Sequence, residues 1–75
     1  MTMSKIKVTT ATKKTFVTFC SSLSANADRI REMLNEDDYP VEFWHDASGM
    51  GHTFWSDTEL DEYIADLKTA IKQAA

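Results

Sequence analysis

One cysteine, Cys20, and two histidines, His45 and His52, are the side chains of this chain best suited to soft metal ligation, nucleophilic attack or proton transfer near neutral pH. If residues 41–56 form a hairpin turning at Ser48-Gly49, His45 pairs with His52, Asp46 lies beside them and Cys20 is within conceivable range, a donor set zinc accepts. Structural zinc sites are marked by paired short Cys or His spacings, which one Cys and two His do not supply. A small metal-binding protein is therefore the weakest of the readings. Cys20 beside either His has the composition of a nucleophile and base, yet a lone thiol at the end of an apolar strand usually packs as a small hydrophobe. Ser48-Gly49-Met50-Gly51 has the glycines of a phosphate loop but lacks the lysine and the following helix that such a loop requires. No two carboxylates sit in environments that would drive their pKa values apart, as acid–base catalysis needs. The chain is thus expected to be non-enzymatic, with no cofactor and no metal.

The twelve acids are the next candidates for chemistry, and their distribution says more than the net charge of −4. Up to Arg31 the chain carries Lys5, Lys7, Lys13, Lys14, Arg29 and Arg31 against Asp28. From Glu32 to Leu67 it carries Glu32, Glu36, Asp37, Asp38, Glu42, Asp46, Asp57, Glu59, Asp61, Glu62 and Asp66, with no Lys or Arg. Such a block projects a negative field over roughly a Debye length, about 8 Å at physiological salt. Direct nucleic-acid binding is disfavoured by that sign. The competing explanation is a solvated surface that serves solubility alone.

Seventy-five residues make one domain, 1–75, with a single small core, since a chain of this size buries only about 60% of its unfolded surface. With one Cys no internal disulfide forms, and the first residues, Met1 to Lys7, lack the apolar stretch of a signal peptide. No apolar run of about 18 residues exists, so no membrane partner is expected and the expected location is cytoplasmic.

The elements that must position the acids and aromatics follow from spacing. Ser56-Asp57-Thr58-Glu59 is a capping-box pattern, followed by Leu60, Ile64, Leu67 and Ile71 at helical intervals, which predicts a helix over 57–73. Leu23, Ala27, Ile30 and Leu34 predict a second helix over about 22–35. Pro40 ends the acidic connection, and two aromatic runs flank Ala47-Ser48-Gly49-Met50-Gly51, predicting a hairpin. Residues 5–19 are rich in Thr, Val and Phe, which favours a second hairpin turning near Thr12-Lys13. A shift of 37 residues superposes Ile6 on Phe43, Val17 on Phe54 and Leu23 on Leu60, so the chain reads as two ββα units. The expected fold is α+β: a four-stranded antiparallel sheet with two helices on one face, in the order ββαββα. The alternative is βαββα with a long first helix from about Lys13, because Phe16, Phe19, Cys20 and Leu23 also fit one helical face.

Alternation then sorts the faces. Val41, Phe43, His45, His52 and Phe54 lie under the helices, with Ile6, Val8, Val17 and Phe19 beside them. The opposite face carries Glu42, Trp44, Asp46, Thr53 and Trp55, together with Lys7, Thr9, Phe16 and Thr18. Trp44 and Trp55 fall on a cross-strand diagonal. An open sheet face with two Trp among carboxylates has the composition of a protein-binding surface, although a slip of one residue would turn both Trp into the core.

In size, acidity and lack of a catalytic motif the whole chain looks like the small phage-encoded inhibitors, the anti-CRISPR proteins among them. That likeness is one of format and not of motif. It implies an inhibitor that occupies a basic, nucleic-acid-binding surface of an intracellular protein or nucleoprotein complex, with carboxylates standing in for phosphates. The partner-binding residues expected are Glu36, Asp37, Asp38, Glu42, Trp44, Asp46, Trp55, Asp57, Glu59, Asp61, Glu62 and Asp66. A structural or regulatory homodimer closed through the Trp44/Trp55 face is the alternative.

Overall fold

Thr9 and Thr12 decide where the first element begins. In the structure, a computed structural model that describes residues 6–36 and 40–74, the Thr9 amide donates to Thr12 Oγ1 at 3.0 Å and the Thr12 amide to the Thr9 carbonyl at 3.1 Å. This closed turn points the chain into helix α1, Lys13–Ala25. The Thr12 hydroxyl is thereby spent on Thr9 and makes no side-chain cap for α1. Phe19, Cys20 and Leu23 bury themselves on one face of this helix, and their spacing overrides the strand preference of the Thr and Val residues between them.

Asn26 interrupts the helical path. Its amide nitrogen donates to the Ser22 and Leu23 carbonyls, and its side-chain Nδ2 donates to the Ser22 carbonyl at 2.8 Å. A side chain that competes for backbone carbonyls in this way ends α1. The Asn26 carbonyl then accepts from the Ile30 amide, starting α2, Ala27–Glu36.

Two antiparallel strands follow, β1 (Val41–His45) and β2 (Met50–Phe54), and then α3 (Asp57–Gln73). Ser56 caps α3, its hydroxyl accepting from the Glu59 amide at 3.2 Å. Glu59 reaches back to accept from the amide of Trp55, one residue before the capping Ser. The α3 boundaries coincide with those expected from spacing.

The four-stranded sheet is not formed. Among the described residues the sheet has two strands and the helices number three, so the class remains α+β while ββαββα is wrong. The βαββα alternative also fails. Its helix does begin at Lys13, but Asn26 divides it, and residues 6–9 form no strand. The 37-residue repeat is a coincidence of pattern: Phe54 is fully buried, whereas Val17, its supposed equivalent, is 43% exposed.

The hairpin register also differs from expectation, by two residues. Val41 pairs with Phe54, Phe43 with His52, Trp44 with Gly51 and His45 with Met50. A four-residue loop, Asp46 to Gly49, replaces the tight turn at Ser48-Gly49, because Gly49 takes φ +66° and its amide donates to the carbonyls of His45 and Asp46. An even shift preserves which side chains share a face. Val41 and Phe54 are therefore buried and Trp44 exposed, as alternation predicts, while His45 and His52 no longer face each other.

The core is a layer of Phe19, Leu23, Ile30, Val41, Phe54, Leu60 and Leu67 between the helices and the inner face of the hairpin. Tyr63 of α3 lies at its aromatic centre, edge-on to Phe19 and Phe54 and stacked on His52. Of the expected core, Ile6, Leu34, Phe43, Ile64 and Ile71 pack against this layer only partly buried. Among the described residues no helix is long and apolar enough to cross a membrane.

Candidate interaction surface

The outer face of the hairpin is built around one tryptophan laid on one glycine. Trp44 and Gly51 are cross-strand partners, and the indole covers the glycine so closely that a β-carbon at residue 51 would stand 2.6 Å from Trp44 Cε3. It would also stand 2.8 Å from the Phe43 carbonyl oxygen. At the loop end, Asp46 accepts the indole Nε1–H. The ring is thus fixed through its six-membered edge and its N–H while remaining 59% exposed. Glu42 is exposed on the same face, opposite Thr53.

Trp55 is more open, 70% exposed, and follows the last residue of β2. Its backbone is anchored by the Glu59 carboxylate. With Trp44 opposite Gly51, Trp55 comes four residues further along, about 13 Å at the usual strand rise. The two indoles therefore do not share the cross-strand diagonal expected from the tight turn. They mark two ends of one face.

The acids do not form a single array. Asp37 and Asp38 lie outside the described residues, and Glu36 is exposed at the end of α2. At about 3.6 residues per turn, Asp57 and Asp61 fall on one flank of α3, and Glu59, Glu62 and Asp66 on another. Asp61 is ion-paired with Arg31 of α2, which also approaches Asp28 at 3.4 Å. Glu59 is committed to the Trp55 amide. Asp57 is half-buried at the first position of α3, where the positive end of the helix favours a carboxylate, and its Oδ1 is shielded from solvent with no hydrogen-bond partner. Glu62 is exposed and Asp66 half-exposed. Of the expected carboxylates among the described residues, Glu36, Glu42, Glu62 and Asp66 are left for a partner, with Asp46 already holding the indole.

The remaining chemistry-bearing side chains are engaged locally. His45 Nδ1 lies 2.8 Å from Ser48 Oγ, a nucleophile-and-base type of contact, but Ser48 Oγ also donates to the His45 carbonyl at 3.3 Å. The nearby Gly49 amide is already bonded to the His45 and Asp46 carbonyls, so it offers no donor to a developing oxyanion. His52 is stacked on Tyr63 and tilted against Phe54. Cys20 is buried on α1, and among the described residues no three His, Cys, Asp or Glu side chains converge as a metal site would require.

Sequence reasoning missed three features: the Gly51 platform, the Arg31–Asp61 pair and the Ser48–His45 contact. Only the first had a signal, since a glycine within a strand marks a close approach by something else. Comparison with protein-family models, curated proteins and solved structures finds no match for the chain.

Proposed function

We propose that this chain is a non-enzymatic protein-binding domain whose outer hairpin face, centred on Trp44, docks on a basic surface of a partner protein. The observation that carries the reading is that Trp44 is exposed and yet held by Gly51 and Asp46. An aromatic anchor that is already immobilised loses little side-chain entropy on binding, and exposed tryptophans of this kind dominate interface energies. Glu42 supplies negative charge beside it, Glu62 and Asp66 on the solvent side of α3 add to the longer-range field, and complementary charge of that sort accelerates encounter with a basic partner. A basic surface that carries nucleic acid fits this chemistry, so the proposed role is an inhibitor of the anti-CRISPR kind acting by carboxylate mimicry in the cytoplasm. Because the acids are divided between two flanks of α3, the mimicry is assigned to the hairpin side.

The test uses the intact chain as bait in a lysate of its source cell, followed by competition with short duplex DNA or RNA. Retention of a nucleic-acid-binding protein that is lost with Trp44→Ala and displaced by nucleic acid supports the proposal. Concentration-dependent self-association that Trp44→Ala and Trp55→Ala abolish, with no captured partner, replaces it with the homodimer reading.

A further inference from the structure

A second surface lies between α1 and α3, built from residues that the hairpin face does not use. Lys13 Nζ donates to the Ala74 carbonyl at 3.3 Å, so the start of α1 meets the end of α3 and the two helices run antiparallel. Between them opens a groove of about 400 Å³ lined by Val17, Cys20, Ser21 and Ser24 of α1 and by Lys68, Ile71 and Lys72 of α3. Small side chains make the hollow: Cys20, Ser21 and Ser24 leave space where larger residues would have closed the helix pair. Val17 and Ile71 give it apolar walls, and Val17 is one of the exposed large hydrophobes.

The charge at this groove opposes that of the acidic block from Glu32 to Leu67. Lys68 and Lys72 are the only cations after Arg31, and they stand one turn apart on one wall. Among the described residues neither has an ion-pair or hydrogen-bond partner, although Asp61 and Asp66 are on the same helix. Two ammonium groups at this spacing can converge on one anionic head, while the Ser21 and Ser24 hydroxyls offer further donors from the opposite wall. An apolar trough edged by a few polar donors has the composition of a small-molecule site and a volume at the lower end of that class, and this one is shallow, with its solvent side open. A protein partner would need roughly 20–30 residues on each side for a standard interface. Seven lining residues, four along about two turns of α1 and three on α3, are too few.

We infer that the α1–α3 groove binds a single-chain aliphatic carboxylate, with the chain along Val17, Cys20 and Ile71 and the carboxylate between Lys68 and Lys72. This site is independent of the hairpin face and of the function proposed for it.

The experiment titrates the full-length, isotope-labelled chain with decanoate, below the concentration at which decanoate forms micelles, and follows amide shifts. Decanol and decyltrimethylammonium serve as neutral and cationic probes of the same chain length. The expected result is saturable binding of one decanoate, with shifts concentrated at Val17, Ser21, Ser24 and Ile71 and weaker binding of both other probes. The Lys68→Gln/Lys72→Gln variant, whose substitutions are at exposed positions, should keep its circular dichroism and bind decanoate about tenfold or more weakly, the scale of lost charge-assisted contacts. Equal affinity for decanol and decanoate, or unchanged affinity in the double variant, overturns the inference. So do decanoate shifts centred on Trp44 and Trp55, or the absence of saturable binding.

Discussion

The imidazole of His52 and the phenol ring of Tyr63 stack face to face, their centroids 4.1 Å apart and their planes 19° from parallel. This contact joins β2 to α3 and leaves Tyr63 half-buried at the edge of the core. Burial, and secondarily the neighbouring Cys20 thiol, raise the Tyr63 pKa above its ordinary 10.0. The folded state therefore holds the phenolic proton more tightly than the unfolded chain does. Stability from this source is fully present below the unfolded pKa and is lost as pH rises beyond it, because ionisation then favours unfolding. Melting temperatures measured from about pH 8 to 11 should fall steeply above pH 10 in the wild type and less steeply in Tyr63→Phe. At neutral pH that variant should differ by no more than about 1 kcal/mol. Parallel alkaline slopes for the two proteins would remove Tyr63 as the cause.

Gly51→Ala tests the platform under Trp44. A methyl group there must displace the indole or the Phe43 carbonyl, and overpacking of this kind costs about 1–3 kcal/mol. The urea midpoint should fall accordingly, and the near-ultraviolet circular dichroism of the tryptophans should change as Trp44 leaves Asp46. Gly49→Ala also destabilises, through the positive φ of its loop position, but it should leave the tryptophan signal largely intact because nothing lies within 4 Å of the added carbon.

Much of the second half of the fold was legible from residue types alone. Ser56 and Glu59 bracket the start of α3, Leu60 and Leu67 recur at its period, and the alternation from Val41 to His45 assigns Trp44 to the outside. The first half was not legible, for a physical reason. Thr and Val favour strands locally, whereas burial of Phe19, Cys20 and Leu23 on one face favours a helix, and only the packing against α3 decides between them. The register was misjudged because Ser48-Gly49 fits a two-residue turn as well as the end of a four-residue loop. That error moved Trp55 away from Trp44 without exchanging the faces. The separation of the acids was invisible for another reason: the ion pair of Asp61 with Arg31 depends on how α2 packs after the break at Asn26.

Leu67→Ala and Val17→Ala separate the true core from the coincidental repeat. Leu67 is fully buried, so its truncation should cost about 2–5 kcal/mol, a large part of what a domain this small possesses. Val17 stands at the groove rim and should cost within about 0.5 kcal/mol. Chemical denaturation followed by circular dichroism measures both. Comparable losses would place Val17 in the core, against its exposed position on α1.

The charge hypothesis is best tested away from acids that the fold itself employs. Reversing Asp57, Glu59, Asp61 and Glu62 together would remove the Arg31 ion pair and the Glu59 contact to the Trp55 amide, so lost binding could reflect a damaged α3 start. The exposed pair with Arg31 is worth no more than about 1 kcal/mol, but helix-start acids add about 0.3–1 kcal/mol each. Glu42→Lys, Glu62→Lys and Asp66→Lys avoid both contacts. With the captured partner immobilised, this triple variant should associate more slowly than the wild type, and the difference should shrink as salt is raised. Trp44→Ala should instead dissociate faster with little change in association rate, since anchors act after encounter. Asp46→Ala, which keeps the indole but frees it, should fall between wild type and Trp44→Ala in dissociation rate. A folded triple Lys variant with wild-type association kinetics at low salt would leave the tryptophan face as the sole determinant and end the mimicry proposal.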